Sequence, residues 1–505
     1  MSYLIEIKNM KLYPKDNYSK PLLENINFKL NKNSIISIIG ESGSGKSLFG
    51  FSLSSKEYLY NVIKESDSFK CHDYLKNSIP INFFSYIPQE PLSSLNPVIT
   101  IYEHFEINRI TNEKNDSQES NYISLLEEVG FVEPENLLNL YPHELSGGMA
   151  QRILIALALQ NNPNVLVADE ATSSLDAVNE KIILDLLVRI SNSRGLSVLV
   201  ITHDLRIAKN YCNDHYLIQN KTLINLSNNE LADLESKAKH QIFDGLDIDN
   251  SKEILKVKDL SFGFNDNENI LKKVDFKIHQ GEILGLVGLS GSGKSTLTKV
   301  LMKIYSPKKG TCTLFEKNLK EYTPKSYASN IQIVFQDLYG SLNPKRKILD
   351  ILLDSFLIRE ELKLLSKDRI SKNINYREEV DLYLEELGLN KDILLRFPKS
   401  LSGGQRQKIL ILKALLVKPK VIIFDEPMSS LDLKSQNEIL SIIKSLYLEH
   451  KITILFITHD YRLVQSICNR VMVLSEGTIV EEGKTSKVFT NPSNSATKKI
   501  LEVVK

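Results

Sequence analysis

GESGSGKS at residues 40–47 and GLSGSGKS at residues 288–295 decide how this chain is read. Each fits the pattern G-x-x-x-x-G-K-[ST]. Each also ends an apolar run, LNKNSIISIIG or IHQGEILGLVG, and precedes a helix predicted to start at Ser47 or Ser295. Glycines let backbone N–H groups turn toward phosphate oxygens, and a helix N-terminus adds partial positive charge. Lys46 and Lys294 would reach the β/γ-phosphates, and the hydroxyls of Ser47 and Ser295 would hold Mg²⁺. A single match could be an incidental glycine turn. Two matches, each between a strand and a helix, make that reading remote.

Working outward, the whole chain repeats. YIPQEPLSSLNP carries Gln89 and VFQDLYGSLNP carries Gln336, 247 residues on. LSGGM from Leu145 and LSGGQ from Leu401 are 256 apart, as are Asp169 of VLVADE and Asp425 of VIIFDE. The same interval separates Asp176 from Asp432 at the ends of SSLD, and His203 from His459 in ITHD. The chain is therefore a duplicated domain, with residues 1–249 (connector included) and 250–505 as the two copies. From Gln89 to Ser146 is 57 residues, whereas Gln336 to Ser402 is 66. The extra length lies in 345–400, whose apolar spacings of three and four predict helix. Helical subdomains are expected at about 97–145 and 344–401. The connector SNNELADLESKAKHQIFDGLDIDNSKE reads as solvated with some helix. The tail after Gly483 reads as a loop and a short final helix.

Composition sets outer limits. With 505 residues, 42% of them hydrophobic and 25% charged, disorder is excluded for most of the chain. Lys plus Arg number 63 against 62 Asp plus Glu, a net charge of +1 that argues against a strong basic field for nucleic acid. Cys71, Cys212, Cys312 and Cys468 form no CxxC pair, which leaves no cysteine-only metal site and points to a reducing compartment. Cys212 and Cys468, 256 apart in apolar segments, read as buried core thiols. The longest clean apolar run, Ile153–Leu159, is far short of the ~20 residues that span a bilayer. The opening MSYLIEIKNM alternates like a strand and does not resemble a secretory signal.

The remaining motifs gain meaning from their order. Asp169 and Asp425 end apolar strands, where a carboxylate can hold Mg²⁺ directly or through water. Glu170 and Glu426 follow and could polarise an attacking water. His203 and His459 sit at one repeat register at strand ends, which favours a phosphate-facing role. Gln89 and Gln336 lie in loops after strands, able to contact Mg²⁺ or its water. Taken singly, each is an ordinary loop residue.

The order of phosphate loop, Gln loop, LSGG, DE, SSLD and ITHD resembles the ATP-binding-cassette (ABC) ATPases, twice over and across nearly the whole chain. The resemblance implies an α/β fold of two tandem P-loop ATPase domains. Each would have a RecA-like α/β core, an antiparallel β region and a helical subdomain. It also implies ATP and Mg²⁺ as the bound groups. Nucleotide binding would fall to Gly40, Glu41, Ser42, Gly43, Ser44, Gly45, Lys46 and Ser47 in the first loop. In the second it would fall to Gly288, Leu289, Ser290, Gly291, Ser292, Gly293, Lys294, Ser295 and Thr296. In the family the LSGG of one cassette presses on the nucleotide of the other. Ser402, Gly403 and Gly404 would thus complete the first site, and Ser146, Gly147 and Gly148 the second. Asp176 and Asp432 would lie at the cassette interface. Catalysis would rest on Glu170, Glu426, His203, His459, Gln89 and Gln336, and the metal on Ser47, Gln89, Asp169, Ser295, Gln336 and Asp425. By the same resemblance, the adenine-stacking aromatic would be Phe264 in the second copy and Tyr13 in the first, where Pro14 occupies the aligned position. Ala171, in place of the family's Pro, and Met149, ending LSGGM, depart from the pattern without removing a phosphate contact.

Three branches of the family have tandem cassettes without membrane spans. Translation factors carry a long charged helical linker, and here the connector is about 30 residues. Tandem sugar-importer ATPases usually have an altered second phosphate loop; here both are intact. QEPLSSLNP and QDLYGSLNP resemble the Q-x-P-x-x-S-L-N-P of the dipeptide, oligopeptide and nickel importers, with Leu338 where Pro is usual. That branch's Cys-rich C-terminal extension is missing. The expected function is the ATP-hydrolysing subunit of such an importer. Two permease subunits, expected to be different proteins, and an extracytoplasmic solute-binding protein would be its partners. One chain would serve each transporter, peripheral on the cytoplasmic face of the inner membrane, with no nucleic acid. The alternative is a soluble tandem-cassette ATPase acting on ribosomes or nucleic acid. The permease surfaces would be 89–145 and 336–400, with Leu95 and Leu342 as candidate exposed contacts.

Overall fold

The computed structural model describes residues 3–15, 19–41, 43–53, 62–71, 79–109, 118–173, 175–238, 252–265, 268–337, 340–359, 373–428, 431 and 433–504. The chain divides into two compact units, Met1–Lys239 and His240–Lys505. The boundary expected near Asp249 lies outside the described residues.

Both units contain the same two sheets. In the first unit, strand Ile5–Pro14 pairs antiparallel with Leu23–Leu30, Val62–Glu65 and Ser68–Cys71. Its alternation buries Ile5, Ile7, Met10 and Leu12, the period-2 signature of a sheet with one covered face. In the second unit Glu253–Phe262 lies between Leu271–His279 and Lys309–Leu314 in the same way.

The larger sheet of the first unit runs Phe84–Ile87, Val165–Asp169, Ser197–Thr202, Ile35–Gly40, Asp214–Gln219, Thr222–Leu226. All neighbours are parallel except the last pair. Ile331–Val334, Val421–Asp425, Thr453–Ile457, Ile283–Val287, Arg470–Ser475 and Thr478–Lys484 repeat that order in the second unit. The central strands are buried on both faces, which is why their sequences are unbroken apolar runs. The parallel register sets Ile39 opposite Thr202 and Asp169 opposite Ile201. Gly40, Asp169 and His203 therefore emerge on one edge, the carboxyl ends of the strands, where open α/β sheets bind ligands.

Between the Gln loop and LSGG the first unit holds helices Ile101–Asn108 and Gln118–Glu128. The second holds Ile348–Leu353 and Asn373–Glu386, and 360–372 lie outside the described residues. Leu95 and Leu342 are not surface contacts, being 3% and 1% exposed. Each SLNP turn folds its leucine back into the apolar core beneath the helices. The connector is also less solvated than its composition suggests. Helix Asn228–Ala238 buries Leu231 and ties to the preceding helix through Lys209 and Glu235, 2.7 Å apart. The tail is not a loop with one short helix. Helices Thr485–Thr490 and Ser495–Val504 bury Val488, Phe489, Ile500 and Leu501 in the second core. Among the described residues no helix is long and apolar enough to cross a membrane.

Candidate nucleotide sites

Each phosphate loop closes on its own lysine. Lys46 Nζ donates to Gly40 O at 3.0 Å and Glu41 O at 2.9 Å. Lys294 Nζ donates to Gly288 O at 2.8 Å and Leu289 O at 3.0 Å. Gly45 and Gly293 have φ of 101° and 106°, and a Cβ on either would come within 2.9 Å of a leucine side chain, Leu23 or Leu271. The sterics demand glycine at both positions. Helices Lys46–Leu53 and Lys294–Leu301 start at the lysine, one residue earlier than expected. Ser42 lies outside the described residues.

Among the described residues, three buried polar atoms at these loops have no hydrogen-bond partner: Ser44 Oγ, Ser292 Oγ and Asp169 Oδ1. Buried polar groups are seldom left unpaired, and each costs about 1–3 kcal/mol when they are. Two hydroxyl donors inside glycine turns and one free carboxylate oxygen at a strand end fit a phosphate chain with a hard cation.

Around each loop a glutamate gathers the other predicted groups. Glu170 Oε2 accepts from Gln89 Nε2 at 2.9 Å, while its Oε1 lies 3.4 Å from His203 Nδ1 and 3.8 Å from Lys46 Nζ. Glu426 Oε2 lies 3.1 Å from both Gln336 Nε2 and His459 Nδ1. The structure thus joins Gln, Glu and His in each unit, with Lys46 beside Glu170 in the first and Lys294 acting on Glu426 in the second. Backbone geometry, invisible in the sequence, aims the glutamates: φ is 45° at Glu170 and 47° at Glu426, left-handed values unusual for a non-glycine residue. Their N–H groups bond to Ile201 O at 2.9 Å and Ile457 O at 2.8 Å, on the strand that leads to each histidine. Such strain is held by its surroundings and concentrates at functional sites.

Electrostatics follow from burial and pairing. Burial pushes the Asp425 carboxyl up to about 6, the Glu426 charge adding and Lys294 opposing. Burial also raises Asp169, against hydrogen bonds from Ser47 and Tyr86. For His203 and His459 burial favours the neutral ring, but the adjacent Glu170 and Glu426 outweigh it and the pKa rises. For Glu426 burial favours the acid, and His459 with Lys294 overcomes it, so the pKa falls. The Tyr86 hydroxyl donates to Asp169 Oδ2. YIPQ put a tyrosine three residues before Gln89, but nothing in that spacing predicts the contact.

The LSGG serines cap helices. Ser146 Oγ accepts from Met149 N at 3.3 Å, and Ser402 Oγ from Gln405 N at 3.3 Å. Gln405 returns a bond from Ser402 N, completing a capping box that Met149 cannot make. Gly147, Gly148, Gly403 and Gly404 form the first turns of these helices. Asp176 caps helix Ala177–Arg194 and holds Asn179, which lies against Gly148; Asp432 is outside the described residues. Phe264 is 66% exposed, braced edge-on by Phe262 and Tyr305, while Tyr13 is partly covered. Cys468 is buried and Cys212 partly so, and burial pushes the Cys212 thiol up to about 12.

Comparison with known proteins identifies the family. The profile of the ABC transporter family matches residues 23–173 and 271–429. The peptidoglycan transport ATP-binding protein YejF of Agrobacterium fabrum is 31% identical over 95% of this chain and 92% of its own length. The glutathione import ATP-binding protein GsiA of Shigella dysenteriae is 29% identical over 99% of this chain and 89% of its own. The solved cbiO1 of Clostridium perfringens covers 48% of this chain and 92% of its own, with a TM-score of 0.42 at 28% identity. With both phosphate loops, both LSGG stretches and both DE pairs in place, this chain belongs to the ABC transporter family as a tandem-cassette, ATP-hydrolysing subunit.

Proposed function

We propose that this chain drives a peptide-type importer, hydrolysing ATP at two sites and coupling the cycle to permease subunits in the membrane. The observation that carries the reading is SLNP directly after both Gln loops, in a chain whose two glutamates each hold their Gln and their His. Lys46 and Lys294 bind phosphate. Glu170 and Glu426 orient the attacking water, His203 and His459 face the γ-phosphate, and Gln89 and Gln336 report its presence to the helical region. The LSGG residues complete the nucleotide sites, and Phe264 stacks on adenine. Ser47, Asp169 and Gln89, with Ser295, Asp425 and Gln336, would hold Mg²⁺, which when bound neutralises phosphate charge and fixes its orientation.

The solute is a short peptide, with nickel as the second possibility raised by the same branch resemblance. Relatives named for peptidoglycan transport and for glutathione import support the peptide reading, glutathione being itself a short peptide. The permease partners are two different proteins, because the surfaces after SLNP differ in chemistry. The first unit presents Val98, 76% exposed, beside Ile99; the second presents Lys345 and Lys347, with Arg346 half-buried and paired to Asp354. A solute-binding protein delivers the peptide, and one chain serves each transporter on the inner face of the membrane.

Buried Leu95 and Leu342 cannot test this docking, but Val98 can. Val98→Asp should cut peptide uptake in cells by about tenfold or more while the purified chain keeps its ATPase, since no phosphate contact changes. Uptake that persists with the permease still bound would remove the support for docking at this surface. Ribosomes or nucleic acid co-purifying in place of permeases would replace the importer reading.

A further inference from the structure

The two cassettes hold their metal-site carboxylates differently. In the first, the Tyr86 hydroxyl donates to Asp169 Oδ2, Ser47 also reaches the carboxylate, and Oδ1 is buried without a hydrogen-bond partner among the described residues. Tyr86 sits in strand Phe84–Ile87, directly opposite Val167, and its ring stacks on Phe51 at 3.9 Å with an interplanar angle of 23°. Gly50 lets the phosphate-loop helix pack closely on Ile201 and Val167, beside the ring. A Cβ there would lie 2.7 Å from Ile201 Cδ1, 3.1 Å from Val167 Cγ1 and 3.6 Å from Tyr86 Cε2. In the second cassette the same three positions are Ile333, Lys299 and Thr298. Ile333 has no donor. Thr298 spends its hydroxyl on Lys294 O at 3.1 Å, though it also reaches Asp425, and the Lys299 cation acts on Asp425 from the same helix. Tyrosine, phenylalanine and glycine have thus been exchanged as a set for isoleucine, lysine and threonine.

We propose that Tyr86 is a positioning residue for a divalent cation at the first nucleotide site, so that this site binds Mg²⁺ more tightly than the second. This rests on reading Asp169 as a metal-site carboxylate. A carboxylate with one oxygen pinned by a neutral donor is already oriented and desolvated, and its other oxygen is free for the ion. Asp425 has no aromatic donor among the described residues, and the Thr298 hydroxyl that reaches it is shared with Lys294 O. Loss of an outer-shell hydrogen bond of this kind typically weakens metal affinity about 10–100-fold.

The probe is Mn²⁺ with ATP, followed by electron paramagnetic resonance on the full chain. Lys294→Ala silences the second phosphate loop so that the first is read alone. There, Tyr86→Phe keeps the ring and its stack on Phe51 and removes one oxygen. It should weaken Mn²⁺ binding on the order of tenfold, with the melting temperature unchanged. Unchanged Mn²⁺ affinity would overturn the positioning role. Asp169→Asn, run beside it, separates the two ideas. If Asp169→Asn loses the ion and Tyr86→Phe does not, the inference fails and the site assignment stands; if neither loses it, the assignment itself fails. A comparison that leaves Tyr86 untouched guards against misfolding. With Lys46→Ala silencing the first loop, the second should bind Mn²⁺ about tenfold more weakly than the first, and equal affinities would overturn the proposal.

Discussion

The two cassettes agree closely where phosphate chemistry is expected and part company in what braces it. Lysine-to-carbonyl bonds of 2.8–3.0 Å close both phosphate loops, and both glutamates have a φ near 45° with Gln and His in reach. At the amino ends of the strands, opposite the phosphate-facing edge, the braces differ. In the second cassette Glu282, wholly buried, accepts from Arg470 Nε at 2.7 Å and Nη2 at 3.1 Å, and Arg470 also pairs with Glu482. The first cassette has Ser34 and Asp214 at those positions, and Ser34 merely donates to Asn31 O at 2.8 Å. A duplicated gene can vary its scaffold as long as the phosphate-facing edge keeps its geometry.

The sharpest test of that contrast is Glu282→Ala. Among the described residues, it leaves the Arg470 guanidinium, 18% exposed, with Glu482 and the Lys277 carbonyl. Removing one partner of a buried pair costs about 3–5 kcal/mol, and the surviving Glu482 contact puts the expected loss near the lower end. Hydrogen exchange in urea should show the second cassette opening earlier and the first unmoved. Equal loss in both would mean that the buried pair is not a brace private to the second cassette.

Next in size is the test of shared chemistry. Glu170→Gln and Glu426→Gln should each lower ATPase turnover at least about tenfold, ~1.4 kcal/mol of barrier, with ATP binding retained. Because the two glutamates share geometry, the losses should be similar. Full turnover by either variant would break the equivalence that the matched φ and His contacts imply.

What the sequence made legible was whatever repeats. Motif order located both phosphate loops, 248 residues apart, and both DE pairs and both histidines, 256 apart, and unbroken apolar runs revealed the central parallel strands. Side-chain direction was not legible. Leu95 and Leu342 look like loop residues because SLNP is a turn, yet the turn folds them inward. The left-handed glutamates leave no trace in residue type, because a surrounding strand holds a backbone angle that local preference disfavours. Tyr86 meets Asp169 only after two strands are paired. The tail's polar, lysine-rich composition concealed Val488, Phe489, Ile500 and Leu501, which are enough to dock two helices.

That tail supplies the smallest expected effect and the last way to separate the cassettes. Glu481 lies where the first cassette has Asn225, a side chain that does not titrate. Its carboxylate accepts from Ser493 N at 2.8 Å, Ser493 Oγ at 2.8 Å and Asn494 N at 3.1 Å, just before the final helix. Burial alone would raise its pKa, but these donors outweigh it and hold the carboxyl down at about 2. A carboxyl depressed in the folded state contributes stability that is complete above its unfolded pKa, about 4.3, and is lost as pH falls toward 2. The group is largely open to solvent, so screening limits the contribution to about 1 kcal/mol. Glu481→Gln should therefore loosen helix Ser495–Val504 by about that amount at pH 7, read as faster amide exchange in that helix. The gap between variant and native chain should narrow below about pH 4.3 and close near the folded pKa. Exchange in Thr222–Leu226, around Asn225, should show no such difference at any pH. A gap that stays constant with pH would mean that the Glu481 charge contributes nothing, and no gap at any pH would mean that apolar burial alone holds the tail.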